Sequence, residues 1–246
     1  MWNTIFVQPF LNLLLAFYKV FFSNLGLAIL GVTVLIRLLL FPLTLPMLKM
    51  ARKQRMIQPE LDKLKEKYGE DKEKLAKEQM RLLRENGINP ALGCLPNLVQ
   101  FVFLIALYQV FIKVLGTNGQ DMDVLNQLAY WDSLRIPAGG GINIRFLHLD
   151  LTQSDPYYIL PVLAGALQWG AARLGRAQRA PVEKEGEGGI MGDIQGQMGV
   201  LFPLMTVFVG FRLQSGLVLY WVASVLLSLI QQWWVAREYA GEEAAQ

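Results

Sequence analysis

The 246-residue sequence contains a single cysteine, Cys94, and a single histidine, His148. No disulfide can close within the chain, and a zinc site built from protein alone would have to lean on carboxylates. Thiol, metal and Ser-His-Asp chemistry have little to work with, and no cofactor is expected. A cleavable signal is not expected either, because the first apolar block, Met1 to Phe22, lacks a basic start and a small-residue cleavage site. Charge of one sign is scarce: 23 Lys and Arg against 20 Asp and Glu leave a net +3, too little for bulk charge to argue for nucleic acid. The most telling shortage is local. Five apolar blocks contain no Asp or Glu.

Apolar side chains, by contrast, are abundant: 53% of residues are hydrophobic and the mean hydropathy is +0.32. They come in blocks near the length of about 20 residues that a bilayer demands. The blocks run from about Leu25 to Leu45, Leu95 to Leu115, Tyr157 to Leu174, Gly199 to Phe211 and Leu217 to Val235. The pattern predicts an all-α integral membrane protein with five transmembrane helices. The fourth block is short, covering about 20 Å against a hydrocarbon core of about 30 Å. Residues 1–22 read as an N-terminal interfacial amphipathic helix, since Gln8, Asn12 and Lys19 fall on one narrow face. Pro9 and this stripe count against a sixth span. Residues 23–246 then form the five-helix core.

The basic residues sort by side. Seventeen of the 23 lie in Met47 to Pro90, Arg173 to Gln197 and the tail after Val235; five lie on the opposite side, and Arg37 sits within a span. The positive-inside rule puts the larger group in the cytoplasm and the N-terminus outside. Within the first cytoplasmic segment, residues 49–86 read as a two-helix hairpin turned at Tyr68-Gly69-Glu70-Asp71. Leu61, Leu64 and Tyr68 stripe the first helix, and Leu75, Leu82 and Leu83 the second. Gly87 and Pro90 stop it. The outer loop, Gly116 to Asp155, carries Trp131, Phe146 and the Gly139-Gly140-Gly141 run and is expected to be partly ordered. The inner loop around Ala180 to Gly192, rich in Glu and Gly, is expected to be mobile.

Arg37 is the most informative residue. It falls near the middle of the first span, where insertion scales put the cost of an Arg at about +2.5 to +3.5 kcal/mol, so it must face protein, water or a partner. Thr33 and Thr44 share its face. A structural ion pair would need a carboxylate, which the spans lack; they offer Asn97, Gln100, Gln168, Thr206, Ser224 and Ser228 instead. A hydrated, positively charged cavity without its own anion suits an anion from outside. Small residues such as Gly165, Gly199 and Gly210 on single faces of later spans point to close helix packing. Trp2, Trp233 and Trp234 read as interfacial anchors.

Several motifs resemble those of the YidC insertase family, with relatives in mitochondrial inner and chloroplast thylakoid membranes. They are Arg37 followed by Phe41-Pro42-Leu43-Thr44, then Gln58-Pro59-Glu60-Leu61, Asn89-Pro90 and Gly93-Cys94-Leu95-Pro96. Further on come Asp155-Pro156-Tyr157-Tyr158-Ile159-Leu160-Pro161, Ser215-Gly216-Leu217-Val218-Leu219-Tyr220-Trp221 and Gln231-Gln232. The match runs from about Asn24 to Trp234. The resemblance implies a membrane protein insertase and chaperone, not an enzyme, in the bacterial plasma membrane. It implies a hydrophilic groove open to cytoplasm and lipid, in which Arg37 attracts the polar end of an incoming segment and Gln168 and Trp221 help line the path. With Thr33, Thr44, Asn97, Gln100 and Ser224, these are the candidate groove residues. Nascent membrane proteins and lipids are the implied partners, with the Sec translocon, the ribosome and the signal-recognition machinery beside them. Two departures stand out. Val102 replaces a Pro common in the family, and the tail Arg237 to Gln246 is acidic, unlike the long basic tails with which some relatives hold ribosomes. Two rival readings are a small transporter or channel for an anionic solute, which normally shows repeated halves not found here, and a membrane enzyme, which lacks a credible nucleophile, base or metal set.

The charge asymmetry predicts that a reporter fused after Gln246 is cytoplasmic and one at Met1 external. Both reporters on one side of the membrane would mean that residues 1–22 cross it.

Overall fold

A computed structural model describes residues 2–89, 95–112, 122–137, 140–177 and 189–244. Cys94, Gly139 and the segment 180–188 of the inner loop lie outside them. The chain is mostly helical, with one short two-stranded ladder that the all-α expectation did not include.

The N-terminus begins with a π-helical turn, Asn3–Val7, that runs into α1 (Gln8–Val20). Pro9 stands in the first turn of α1, where a missing N–H removes no intrahelical bond. Val7, Phe10, Leu11, Leu14, Leu15 and Tyr18 form a buried face against the neighbouring α2. The polar stripe meets residues 128–135 of the loop between the second and third apolar blocks. Asn12 donates to Leu128 O (2.9 Å) and accepts from Tyr130 N (2.6 Å), Gln8 Nε2 donates to Leu128 O (3.2 Å), and Lys19 Nζ donates to Ser133 O and to Arg135 O (3.0 Å).

Helix α2 (Leu25–Met56) starts at Asn24, whose Oδ1 accepts from Leu27 N at 3.1 Å, and continues through Pro42 and Pro46 for 32 residues, about 48 Å. Its apolar part is Leu25–Pro46. Beyond it, α3 (Gln58–Tyr68) and α4 (Lys72–Glu85) form the charged hairpin with the turn where the leucine stripes put it. Asp71 caps α4 by accepting from Lys74 N at 3.0 Å. Gly87 ends the hairpin at φ +69°, a backbone state that side chains disfavour. Ile57, Leu61, Leu83 and Ile88 make a small separate core. On its surface, a 2.8 Å bond to Glu85 pushes the Arg81 guanidinium above its ordinary pKa.

The remaining helices are α5 (Leu95–Val110), α6 (Met122–Leu128), α7 (Ile159–Ala177), α8 (Gly189–Gly210) and α9 (Ser215–Ala244). Two short strands, β1 (Arg145–Phe146) and β2 (Leu149–Asp150), pair antiparallel, with Arg145 opposite Asp150. A corner beside them ties the strands to the helix starts. Buried Asp155 caps α7 by accepting from Tyr157 N (3.0 Å) and Leu160 N (2.8 Å). The Ser215 hydroxyl, at the start of α9, reaches Asp150 O (2.6 Å) and Gln153 O (2.8 Å).

Helix α9 packs against α2, α5 and α7, and α7 also packs against α8. Among the described residues, two apolar stretches are long enough to cross a bilayer, Leu25–Pro46 (22 residues) and Ser215–Val235 (21 residues). Within the described residues, Gln100–Val110, Ile159–Leu174 and Gly199–Gly210 are shorter apolar stretches. In α8 the apolar stretch follows Asp193, Gln195 and Gln197 in the sequence, so the helix is longer than its apolar part. Small residues let α7 and α8 approach, as their spacing implied. A side chain at Gly165 would run into Val207, and one at Gly210 would touch Pro161.

Gly165→Val is expected to destabilise the fold by about 1–3 kcal/mol, because the helix contact must open. Gly170, with open space around it, tolerates Ala. Unfolding midpoints of the two variants in detergent check the contrast; equal midpoints would remove the close contact from the fold's requirements.

Candidate functional site

Helix α2 presents Arg37 toward α5 and α9. Its Nη2 donates to Gln100 Oε1 at 3.0 Å, and Tyr220 of α9 lies beside both side chains with Ser224 one turn further on. The backbone is fixed at the same level, since Gln231 Nε2 donates to Arg37 O at 3.3 Å. No ion pair includes Arg37 among the described residues. A cation between apolar helices is therefore met by a neutral amide oxygen. That leaves most of its donor capacity for another group, because a guanidinium carries five N–H donors.

A guanidinium has no acceptor, so Oε1 must face Arg37 and Nε2 must turn away. Nε2 is enclosed and turned to the Tyr220 hydroxyl, outside ideal hydrogen-bonding geometry.

Next to this group the lining becomes apolar. Phe101 follows Gln100 and, with Ile105 and Tyr108 of α5, Met205 and Val209 of α8 and Trp221 of α9, borders a cleft of about 260 Å³. Thr206 also lines it, but its hydroxyl is bonded to Phe202 O at 2.9 Å. The cleft thus suits apolar matter. Among bundle positions, Trp221 and Ser224 are buried.

The expected site residues divide accordingly. Gln100 and Ser224 gather with Arg37, and Trp221 lines the adjoining cleft. Thr33 is buried with its hydroxyl bonded to Ile29 O at 2.6 Å, and Thr44 bonds to Phe41 O at 3.0 Å, so both donors serve their own helix. Gln168 is half-buried on α7, and no contact joins it to Arg37 among the described residues. Asn97 belongs to α5, with its side chain outside the description. Sequence reasoning passed over Tyr220 as a site residue, although its spacing of four from Ser224 was a usable signal. It also passed over the role of Gln231.

Aromatic side chains mark the other end of the bundle. Arg173 lies over the Trp169 ring at 4.1 Å, Arg237 over Trp233 at 5.5 Å, and Trp234 contacts Phe41 at 5.6 Å. Such Trp and Arg pairs suit a membrane–water boundary.

Residues 16–243 match the family model described as 60Kd inner membrane protein. The chain is similar to a protein named membrane protein insertase YidC from Fusobacterium nucleatum, with 34% identity over 95% of this chain and 97% of that one. A protein of the same name from Nitratidesulfovibrio vulgaris is 32% identical over 96% of this chain, and one from Cellvibrio japonicus is 34% identical over 91%. The chain spans only 39% and 34% of the length of those two relatives. A family match over nearly the whole chain, together with a relative matched almost end to end, means that the chain belongs to the 60Kd inner membrane protein family, that of the YidC insertases.

Proposed function

We propose that the chain is a membrane protein insertase and chaperone that works without covalent catalysis, receiving segments of nascent membrane proteins and releasing them into the bilayer. The carrying observation is Arg37, met among the described residues by the neutral Gln100 amide rather than by a carboxylate, in a bundle that also holds an apolar cleft. The name that the relatives carry supports the same reading. All five apolar stretches cross the bacterial plasma membrane, with the N-terminus outside and the C-terminus in the cytoplasm. Residues 1–22 lie along the outer boundary, and the hairpin 49–86 stands in the cytoplasm as part of the core unit 23–246. Lipids and nascent chains are the direct partners; the Sec translocon, ribosome and signal-recognition machinery are further candidates.

In this mechanism the polar flank of a segment enters from the cytoplasm and meets Arg37, Gln100 and Ser224, with Thr33, Thr44, Asn97 and Gln168 lining the remaining path. Its apolar part moves along the cleft beside Trp221 toward lipid. Attraction between the guanidinium and an acidic flank is strengthened by the apolar helices around the site. The bilayer adapts as well. The apolar part of α8 covers 12 residues, about 18 Å, whereas that of α2 covers 22, about 33 Å. Lipid thins beside α8, or water enters from the groove, and either lowers the barrier to moving a polar flank.

Reconstitution in liposomes tests the function. Insertion of a short single-span protein supports it; flux of an anionic solute without insertion supports the transporter instead. Arg37→Lys retains much activity, because a point charge suffices where no fixed carboxylate imposes bidentate geometry. Arg37→Ala fails, most severely for substrates whose translocated tail carries Asp or Glu. Insertion per folded molecule is compared for matched acidic and neutral tails, and equal defects would sink the electrostatic mechanism.

The mismatch gives a second test. One added turn of Leu in the apolar part of α8 is expected to slow insertion while the protein stays folded. Unchanged insertion would remove thinning from the mechanism.

A further inference from the structure

We propose that Phe22, Leu147, Tyr157 and Tyr158 form a rim that contacts lipid at the bilayer boundary, with the tip of the β1–β2 hairpin resting in the interface as a small anchor. This contact requires that the bundle cross a bilayer and is independent of how a substrate is inserted.

The backbone supplies the first observation. Four non-glycine residues among those described have left-handed φ, and three of them are bulky: Phe22 (+53°), Leu147 (+54°) and Tyr158 (+57°). That region crowds Cβ against the following carbonyl, so side chains are disfavoured in it. Phe22 directly follows the C-cap of α1, where helices commonly take glycine. Leu147 is the first of the two residues between the paired Phe146 and Leu149, a position at which a positive φ again calls for glycine. The charged hairpin α3–α4 obeys the rule, ending on Gly87 at φ +69°.

The side chains held in this costly state are not covered by protein. Phe22 is 89% exposed, Leu147 85%, Tyr157 69% and Tyr158 52%. In water the steric cost and the exposed apolar surface would both count against the fold. A lipid boundary makes the second term favourable and offsets the first.

Position names the lipid. Phe22 stands just before Leu25, where the apolar stretch of α2 begins, and Tyr158 just before Ile159, where that of α7 begins. Leu25 N donates to Asn143 O at 3.2 Å, and the Phe146 ring fills the space that a side chain at Gly26 would need, so the β-hairpin is set against the first turn of α2. Its tip reaches α7, with the His148 and Tyr157 rings 5.5 Å apart, and Tyr158 meets Phe211 at the end of α8 edge-on at 5.0 Å. The arc therefore follows the level at which the apolar stretches start, where amphipathic aromatic rings are favoured. Backbone donors in its turns are met within the chain: Ser23 N by Tyr18 O (2.9 Å), Asn24 N by Phe21 O (3.0 Å) and Tyr158 N by Asp155 O (3.2 Å). Such turns can approach lipid without stranding those N–H groups. A boundary held at Phe211 also leaves the shortfall in the apolar length of α8 at its other end, beside α4.

The test uses the full chain carrying Cys94→Ser, in nanodiscs of phosphatidylethanolamine and phosphatidylglycerol, with a nitroxide on one introduced cysteine: Phe22→Cys, Leu147→Cys or Tyr157→Cys. Collisions with oxygen, which concentrates in lipid, are compared with collisions with a water-soluble nickel chelate. Leu39→Cys, exposed within the apolar stretch of α2, sets the lipid reading, and Glu70→Cys in the turn of the charged hairpin sets the water reading. The ratio of oxygen to nickel collisions at the three rim sites is expected to exceed that at Glu70 several-fold. All three sites are exposed, so a variant that folds poorly leaves the other two to decide. A rim reading like that of Glu70 would overturn the proposal. Protection from both reagents would overturn it as well, because protein rather than lipid would then cover the rim. A water reading at Leu39 too would instead remove the bilayer-spanning arrangement itself.

Discussion

A guanidinium among apolar helices must be answered by an acceptor, and among the described residues the answer is a neutral amide oxygen. Arg37 does not meet a carboxylate of its own bundle among the described residues; it meets Gln100, and its backbone carbonyl is held by Gln231. The two contacts bind α2 to α5 and to α9 at one level. Removing the charge would relieve a desolvation cost, yet adding an internal carboxylate would cancel the field that the cation projects. The arrangement keeps the charge both placed and available.

The rest of the fold holds that level steady from the outside. Helix α9 touches α2, α5 and α7, and its first residue is tied to the corner beside the strands through Ser215. Asp155 caps α7 from the same corner, so the starts of α7 and α9 are set together. On the N-terminal side, Asn12 binds Leu128 and Tyr130 and fastens that loop to α1. The polar groups of α1 are thereby satisfied by loop backbone, and its apolar face is left to pack on α2.

Apolar length is distributed unevenly around this centre. The apolar parts of α2 and α9 match a bilayer, while those of α7 and α8 are shorter. A bilayer around such a bundle meets full-length walls on one side and short ones on the other, and the cleft bordered by Trp221 lies against the short α8. In the proposed mechanism, polar attraction and reduced apolar distance act on different parts of the same barrier.

Sequence by itself determined the helical character, the apolar blocks, the hairpin turn at residues 68–71, and Arg37 as a charge lacking a carboxylate within its blocks. These are properties of hydropathy, periodicity and composition, which act along the chain and survive without coordinates. Gly165 as a contact point was also legible, because a small residue on one helix face has few other uses. Tertiary structure decided what side-chain direction controls. Thr33 shares the face of Arg37 but gives its hydroxyl to Ile29, whereas Tyr220, 183 positions away in sequence, comes beside the guanidinium. The polar stripe of α1 likewise fitted a lipid boundary by spacing and is occupied by loop carbonyls in the fold. A helical period gives the face of a residue; the group opposite that face is set by the packing of segments far apart in the chain, because hydrogen bonds are made at about 3 Å and no one-dimensional spacing encodes that distance.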